Sequence, residues 1–357
     1  MGASTLTKLT DLGWNARLES SFEIHARAGR VAGRVITEHP DLYRVLTPAG
    51  ERLAAPGGKL RHQAVGRGDL PAVGDWVALD LPPDGRAAVA AVLPRASKFS
   101  RLAAGGGGEQ IVAANVDTVL LVAAANRDFN VRRLERYVGL GWASGAQPVV
   151  VISKADLAED LAALVAAAEA VAPGVPVLAL GALQGVGLDQ LAPYLLAGKT
   201  LALLGSSGAG KSTLLNALAG EVRLATSAAR AGDDRGRHTT THRELVVLPN
   251  GSMVIDTPGM RELGVWDADA GLGRAFEDIE ALVARCRYAD CRHSSEPGCA
   301  VRAGLDAGDV SQERLDSYVK LRREQAYQAR KEDNRLAHAE KQKWKQVTKQ
   351  MRGYSKG

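Results

Sequence analysis

The stretch Thr200 to Leu218, TLALLGSSGAGKSTLLNAL, constrains this chain more than any other. Leu201 to Leu204 form an apolar run with the length of a buried strand, and Leu214, Leu215 and Leu218 recur at helical spacing beyond a glycine loop. Gly205, Ser206, Ser207, Gly208, Ala209, Gly210, Lys211 and Ser212 satisfy G-x-x-x-x-G-K-[ST] at every fixed position, with Thr213 next. Glycines let the backbone curl until successive N–H groups and a helix N-terminus face one phosphate. Lys211 then reaches the β and γ oxygens, and Ser212 is the expected Mg²⁺ ligand. Such a loop belongs on an α/β sheet and binds a nucleoside triphosphate.

The flanking pattern agrees. With 357 residues and 46% apolar content, the chain can build more than one core. Val116 to Ala124 reads as a strand, Val131 to Leu140 as a helix and Pro148 to Ile152 as a strand. Leu157 to Val171 follows as an Ala-rich helix and Val175 to Leu180 as a strand. This alternation predicts a parallel sheet covered on both faces. Upstream, Gly29 to about Phe99 breaks into short β-like segments at turns such as Pro82-Pro83-Asp84-Gly85, the signature of a small oligonucleotide-binding (OB) type of barrel. Arg27, Arg30, Arg34, Arg44, Arg52, Lys59, Arg61 and Arg67 make that region basic, as a face for RNA or as a solvated surface. The glycine run from Ala103 to Glu109 predicts a flexible joint. The expected organisation is an extension over 1–28, a barrel over 29–102, a nucleotide domain over 110–264 and a helical metal-binding domain over 265–357. The last ends in a basic tail in which Lys341, Lys343, Lys345, Lys349 and Arg352 interleave with Trp344 and Tyr354.

Two further segments identify the nucleotide. Met253 to Ile255 is an apolar strand ending in Asp256-Thr257-Pro258-Gly259, where Asp256 can hold Mg²⁺ through its water shell and the Gly259 N–H can bond the γ-phosphate. Before it, Gly236-Arg237-His238-Thr239-Thr240-Thr241 is a candidate first switch, with Thr240 assigned to the Mg²⁺ shell. Ser153-Lys154-Ala155-Asp156 follows the strand Pro148 to Ile152 and resembles the N-K-x-D base reader of GTPases. The Asp156 oxygens can accept from guanine N1–H and the 2-amino group, two donors that adenine lacks, and the Lys154 stem can lie along the base. GTP is therefore the expected substrate. The base reader precedes the phosphate loop instead of following the switches, so the order of a GTPase domain is circularly permuted.

All three cysteines fall in Cys286-x₄-Cys291-x-His293-x₅-Cys299, which offers three thiolates and one imidazole to a tetrahedral zinc ion. Four protein ligands leave no open position, so the site is structural, and Arg285, Arg287, Arg292 and Arg302 surround it. Lys and Arg (45) exceed Asp and Glu (40) by a net charge of only +5, so nucleic-acid binding depends on where the basic residues lie. The N-terminus lacks the apolar core of a signal peptide and no run reaches a membrane span, which predicts a cytoplasmic protein without membrane contact. No long heptad seam demands a dimer, and a monomer is expected.

The permuted order, the preceding barrel, G-R-H-T-T-T, D-T-P-G and the cysteine cluster together resemble the ribosome small-subunit-dependent GTPase A family over nearly the whole chain. That resemblance implies an assembly factor that binds the maturing 30S subunit and its 16S rRNA. It also implies GTP hydrolysis to GDP that the subunit stimulates and that is coupled to release. Ser153 stands where the family commonly has Asn, and Gly181-Ala182 where a Ser-Ala base contact is expected. Met260 occupies the position from which many GTPases orient water with Gln, so the isolated protein should turn over slowly. His238 is the candidate to orient water, a role the resemblance also implies. An alternative is a nucleotide-gated RNA-binding module whose hydrolysis is incidental.

Overall fold

The computed structural model describes residues 8–82, 86–102, 108–220, 243–256, 269–327 and 329–330. Strands β1 (Val31–His39), β2 (Leu42–Thr47), β3 (Gly50–Pro56), β4 (Trp76–Asp80) and β5 (Ala87–Val92) pair in the order 1-2-3-5-4, and β1 closes on β4. Only β3 and β5 run parallel among these pairs. Val35, Tyr43, Val45, Ala54, Val77, Leu79 and Val89 fill the interior of this closed barrel, the architecture expected from the turn spacing. The helix Ala16–Arg27 buries Leu18 and Phe22 in a second core shared with Ala32, Ile36, Trp76 and Ala78, while Trp14 sits edge-on to both Phe22 and Trp76.

Strands β6 (Lys98–Leu102) and β7 (Glu109–Ala114) form an antiparallel hairpin in which Leu102 faces Glu109. The glycine run expected to be a joint thus connects two paired arms. Residues 103–107 themselves lie outside the described residues.

Strands β8 (Thr118–Ala124), β9 (Gln147–Ser153), β10 (Val177–Leu180), β11 (Thr200–Gly205), β12 (Arg243–Val247) and β13 (Met253–Asp256) lie in the order 10-9-8-11-13-12, parallel except for β12. Successive side chains go to opposite faces, and both faces are covered. Val119, Leu121, Val150, Ile152 and Ala202 join one core, while Leu120, Val122, Val149, Val151 and Leu201 join another. Asn130 and Asp160 cap the helices Val131–Ser144 and Leu161–Val171 by accepting from Arg133 N and Ala163 N. The second helix starts later than its apolar pattern predicts, because Ala155–Leu157 form a separate 3₁₀ turn.

The barrel and the α/β sheet are continuous, since the far half of β1 pairs antiparallel with β12 (Thr37 with Glu244, Glu38 with Arg243). Beside this junction lies Arg34, which the sequence counts among the basic residues of an RNA face or a solvated surface. The structure corrects that placement: Arg34 is 2% exposed. Burial pulls its pKa down to about 10 against the opposing influence of Asp117 and Asp75, so it stays charged at neutral pH.

Further along, the described residues form the helices Asp269–Ala275, Glu277–Val283 and Ala300–Ala307 and a helix over 312–327. They dock on Val131–Ser144 around Glu135, which is 1% exposed. Arg314 reaches Glu135 at 3.1 Å and grips both carboxylate oxygens of Asp278 at 2.7 and 2.8 Å, with Phe276 beneath it. Among the described residues, no helix is long and apolar enough to cross a membrane.

Candidate nucleotide site and metal centre

Parallel strands deliver their following loops to one edge of a sheet, and here three such loops carry the candidate residues. Gly205 ends β11 opposite Val122, and a Cβ on it would lie 2.3 Å from the Val122 carbonyl oxygen, so only glycine lets the strand run this close. Gly208 and Gly210 then adopt positive φ (72° and 88°), turning the chain so that Gly210 becomes the N-cap of the helix Lys211–Ala219. Ala209 is buried beneath the loop, whereas Ser207 and Gly208 are exposed. Lys211 lays its ammonium on the Gly205 and Ser206 carbonyl oxygens at 2.7 and 2.6 Å. Ser212 and Thr213 occupy the next positions of that first helical turn.

The base-reading segment meets this loop directly. Ser153 ends β9 and donates its hydroxyl to the Ala209 carbonyl oxygen at 2.6 Å. Lys154 adopts the left-handed conformation (φ 56°) and starts the 3₁₀ turn that carries Asp156. After β10, Gly181 and Val186 exchange backbone hydrogen bonds at 2.9 and 3.0 Å and close a short loop against that turn. A Cβ on Gly181 would lie 2.9 Å from Asp156 Oδ1. Glycine in place of the expected serine therefore lets this loop pack onto the Asp156 carboxylate.

Asp256 ends β13, one residue beyond the Ala202–Ile255 pair, so its backbone stands at the same edge beside the phosphate-loop strand. His238, Thr240, Gly259 and Met260 lie outside the described residues. β12 begins directly after the candidate first switch and is anchored to β1 by Arg243, which contacts Glu38 at 3.0 Å.

The ligand atoms of Cys286, Cys291, His293 and Cys299 lie within 4.8 Å of one another. Cys286 Sγ and Cys299 Sγ are 4.0 Å apart, and each is 3.6 Å from His293 Nδ1. A tetrahedral zinc ion with Zn–S of about 2.3 Å and Zn–N of about 2.0 Å needs S···S of about 3.8 Å and S···N of about 3.5 Å. The geometry therefore fits zinc, and the sulfurs are too far apart for a disulfide. Glu296, followed by Pro297 and Gly298, lies in the loop between His293 and Cys299. Its carboxylate accepts from the backbone N–H groups of Arg292 (3.0 Å), Ser294 (2.9 Å) and Ser295 (3.1 Å), folding the loop that holds His293 at a left-handed φ of 58°. Together with its own amide, these donors bring the Glu296 pKa down to about 2. The sequence cue is an acidic residue followed by Pro-Gly inside a ligand loop. Beside His293, a groove of about 650 Å³ is lined by Arg292, Lys320, Arg323 and Tyr327 over Leu315 and Val319.

Comparisons with known proteins match this arrangement. A family model described as RsgA GTPase matches residues 92–266, and an ABC transporter model matches residues 188–353, a span containing the same phosphate loop. Small ribosomal subunit biogenesis GTPase RsgA 2 of Lactiplantibacillus plantarum is 50% identical over 84% of this chain and 85% of its own length. Small ribosomal subunit biogenesis GTPase RsgA of Opitutus terrae is 47% identical over 95% of each. Among solved structures, YjeQ from Thermotoga maritima gives a TM-score of 0.61 at 27% identity, covering 82% of this chain and 97% of its own. YloQ, described as a circularly permuted GTPase, gives 0.58 at 26%, covering 85% and 96%. The permuted sheet order, the closed barrel before it and identity of about half over most of the length lead to one assignment: this chain belongs to the RsgA GTPase family.

Proposed function

We propose that the protein is a cytoplasmic, monomeric GTPase that binds the maturing 30S subunit through 16S rRNA. It hydrolyses GTP when that subunit stimulates it, and leaves as GDP forms. The observation that carries the GTP site is the Ser153–Ala209 hydrogen bond, which unites the base-reading and phosphate loops on one sheet edge. Near-full-length identity to proteins named as small ribosomal subunit biogenesis GTPases supports the partner.

In this reading Gly205 to Thr213 wrap the phosphates, Lys211 balances the charge of the β and γ groups, and Asp156 with Lys154 selects guanine. Ser212, Thr240 and Asp256 hold the Mg²⁺ that arrives with GTP, which neutralises charge on the transferred phosphoryl group. The Gly259 N–H bonds the γ-phosphate, and His238 orients water in place of the glutamine that Met260 displaces. Zinc on Cys286, Cys291, His293 and Cys299 would hold the C-terminal knuckle folded, and Arg285, Arg287, Arg292 and Arg302 around it favour RNA contact. The proposed division of labour follows the chain: extension 1–28, barrel 29–102, GTPase domain 110–264 and zinc-binding domain 265–357.

Phosphate release from GTP and from ATP, measured alone and with purified small or large subunits, tests this function. GTP turnover accelerated by small subunits alone is the expected result. Turnover that neither subunit accelerates would sink the assembly role.

A further inference from the structure

The guanidinium of Arg34 is spent on five acceptors from five different segments. Nε donates to Gly74 O at 3.4 Å, and Nη1 to Leu12 O and to Met253 Sδ at 3.3 Å. Nη2 donates to Asn115 O at 3.2 Å and to Thr200 Oγ1 at 2.8 Å, while the Trp76 ring packs 5.4 Å from the guanidinium carbon. Leu12 ends the N-terminal 3₁₀ turn, Gly74 precedes β4 and Asn115 joins β7 to β8. Thr200 and Met253 are the first residues of β11 and β13. Those two strands end at Gly205 and at Asp256, the phosphate loop and the candidate Mg²⁺ position.

A buried guanidinium is a poor way to add stability, because an apolar side chain of similar volume does as well without desolvating a charge. What the planar fork adds is direction: several bonds fixed in one plane at set angles. We propose that Arg34 is a positioning residue, clamping the barrel to the feet of β11 and β13 so that seating the barrel on RNA sets the phosphate loop. It therefore governs partner-stimulated hydrolysis and leaves basal hydrolysis alone. This rests on the proposed function, in which the small subunit is the stimulating partner and the barrel meets its RNA.

Arg34→Lys keeps the charge and loses the fork. Thr200→Val keeps the volume and removes only the acceptor at the foot of β11, so it folds even where an Arg34 variant does not. For both, GDP affinity, basal turnover and cosedimentation with small subunits are expected within about 2-fold of wild type. The stimulated kcat is expected to fall roughly 10-fold, the worth of one charge-assisted hydrogen bond, with the KM for subunits unchanged. Hydrogen exchange read without any partner is expected to speed up at 201–205 and 253–255 while 42–56 stays as in wild type. Unchanged stimulation, or basal and stimulated rates falling in equal proportion, overturns the clamp. If wild type itself is not stimulated, the proposed function fails, and exchange alone decides: unaltered protection at 201–205 in both variants overturns the clamp.

Discussion

The hydroxyl of Ser153 donates to the Ala209 carbonyl oxygen across 2.6 Å, a direct tie between the proposed base-reading loop and the phosphate loop. Ser153→Ala is expected to weaken GDP binding about 5-fold, equivalent to about 1 kcal/mol for one buried hydrogen bond. Fluorescent-nucleotide titration checks this, and unchanged affinity would show that the two loops hold together without it.

Asp156 lies against Gly181, and in the proposed function its carboxylate is the acceptor pair for guanine. Asp156→Asn replaces one acceptor oxygen with an NH₂ donor, which opposes the guanine 2-amino group and suits the 2-carbonyl of xanthine. GTP affinity is expected to drop by about 100-fold or more, with xanthosine triphosphate becoming the better ligand. Competition between the two nucleotides gives the answer directly. A variant that still prefers GTP removes Asp156 from the base site.

The Glu296 carboxylate gathers three backbone amides around the loop of His293. Glu296→Ala leaves all four zinc ligands in place, yet zinc affinity is expected to fall 10- to 100-fold, the usual cost of losing an orienting partner. Zinc release to a chromophoric chelator measures it. In the cobalt-substituted protein, loss of the His293 ligand would appear as an altered d–d spectrum.

Arg314 neutralises Glu135 in a nearly water-free contact between the C-terminal helices and Val131–Ser144. Truncation by Arg314→Ala strands that carboxylate with Arg132 as its remaining partner, and is expected to cost about 3 kcal/mol in urea unfolding. Glu135→Leu combined with Arg314→Met should recover part of the loss, since the apolar pair removes the buried Glu135 charge while Asp278 and the Ala275 carbonyl still lose their donor. No recovery in the double variant would mean that the network stabilises through more than charge balance.

His238→Ala is expected to reduce subunit-stimulated turnover by about 100-fold or more while leaving GTP affinity intact, the pattern of a group that acts on the attacking water. Equal kcat in variant and wild type would assign that role elsewhere.

What was legible in the sequence follows from how far each feature reaches along the chain. The phosphate loop, Ser153 to Asp156 and the cysteine knuckle each draw on neighbours in sequence, so spacing alone displays them. Arg34 draws on partners 22 to 219 residues away and Glu135 on Arg314, 179 residues away, and spacing along the chain displays neither set of contacts. Strand β1 shows why. Six consecutive residues from Ala32 to Thr37 are buried, because one face lines the barrel and the other the seam, and the in-out alternation that separates solvated from buried arginines disappears. Arg30 and Arg44 look no different in sequence, yet they stay near the surface in pairs with Asp80 (3.0 Å) and Glu51 (2.6 Å). The glycine run at 103–109 predicts a joint from composition alone, and composition says nothing of the pairing between β6 and β7 on either side of it.

The pairing of β1 with β12 also dictates a timetable for synthesis. The barrel emerges first with the far half of one side of β1 unpaired, and β8, β9 and β10 are made before the strand that carries the phosphate loop. β12 arrives some 205 residues after its partner in β1, a separation that places their union among the slowest steps of folding. Once joined, neither strand offers a bare edge there for another chain to extend, so completing the nucleotide domain also removes a route to aggregation that the nascent protein carries until then.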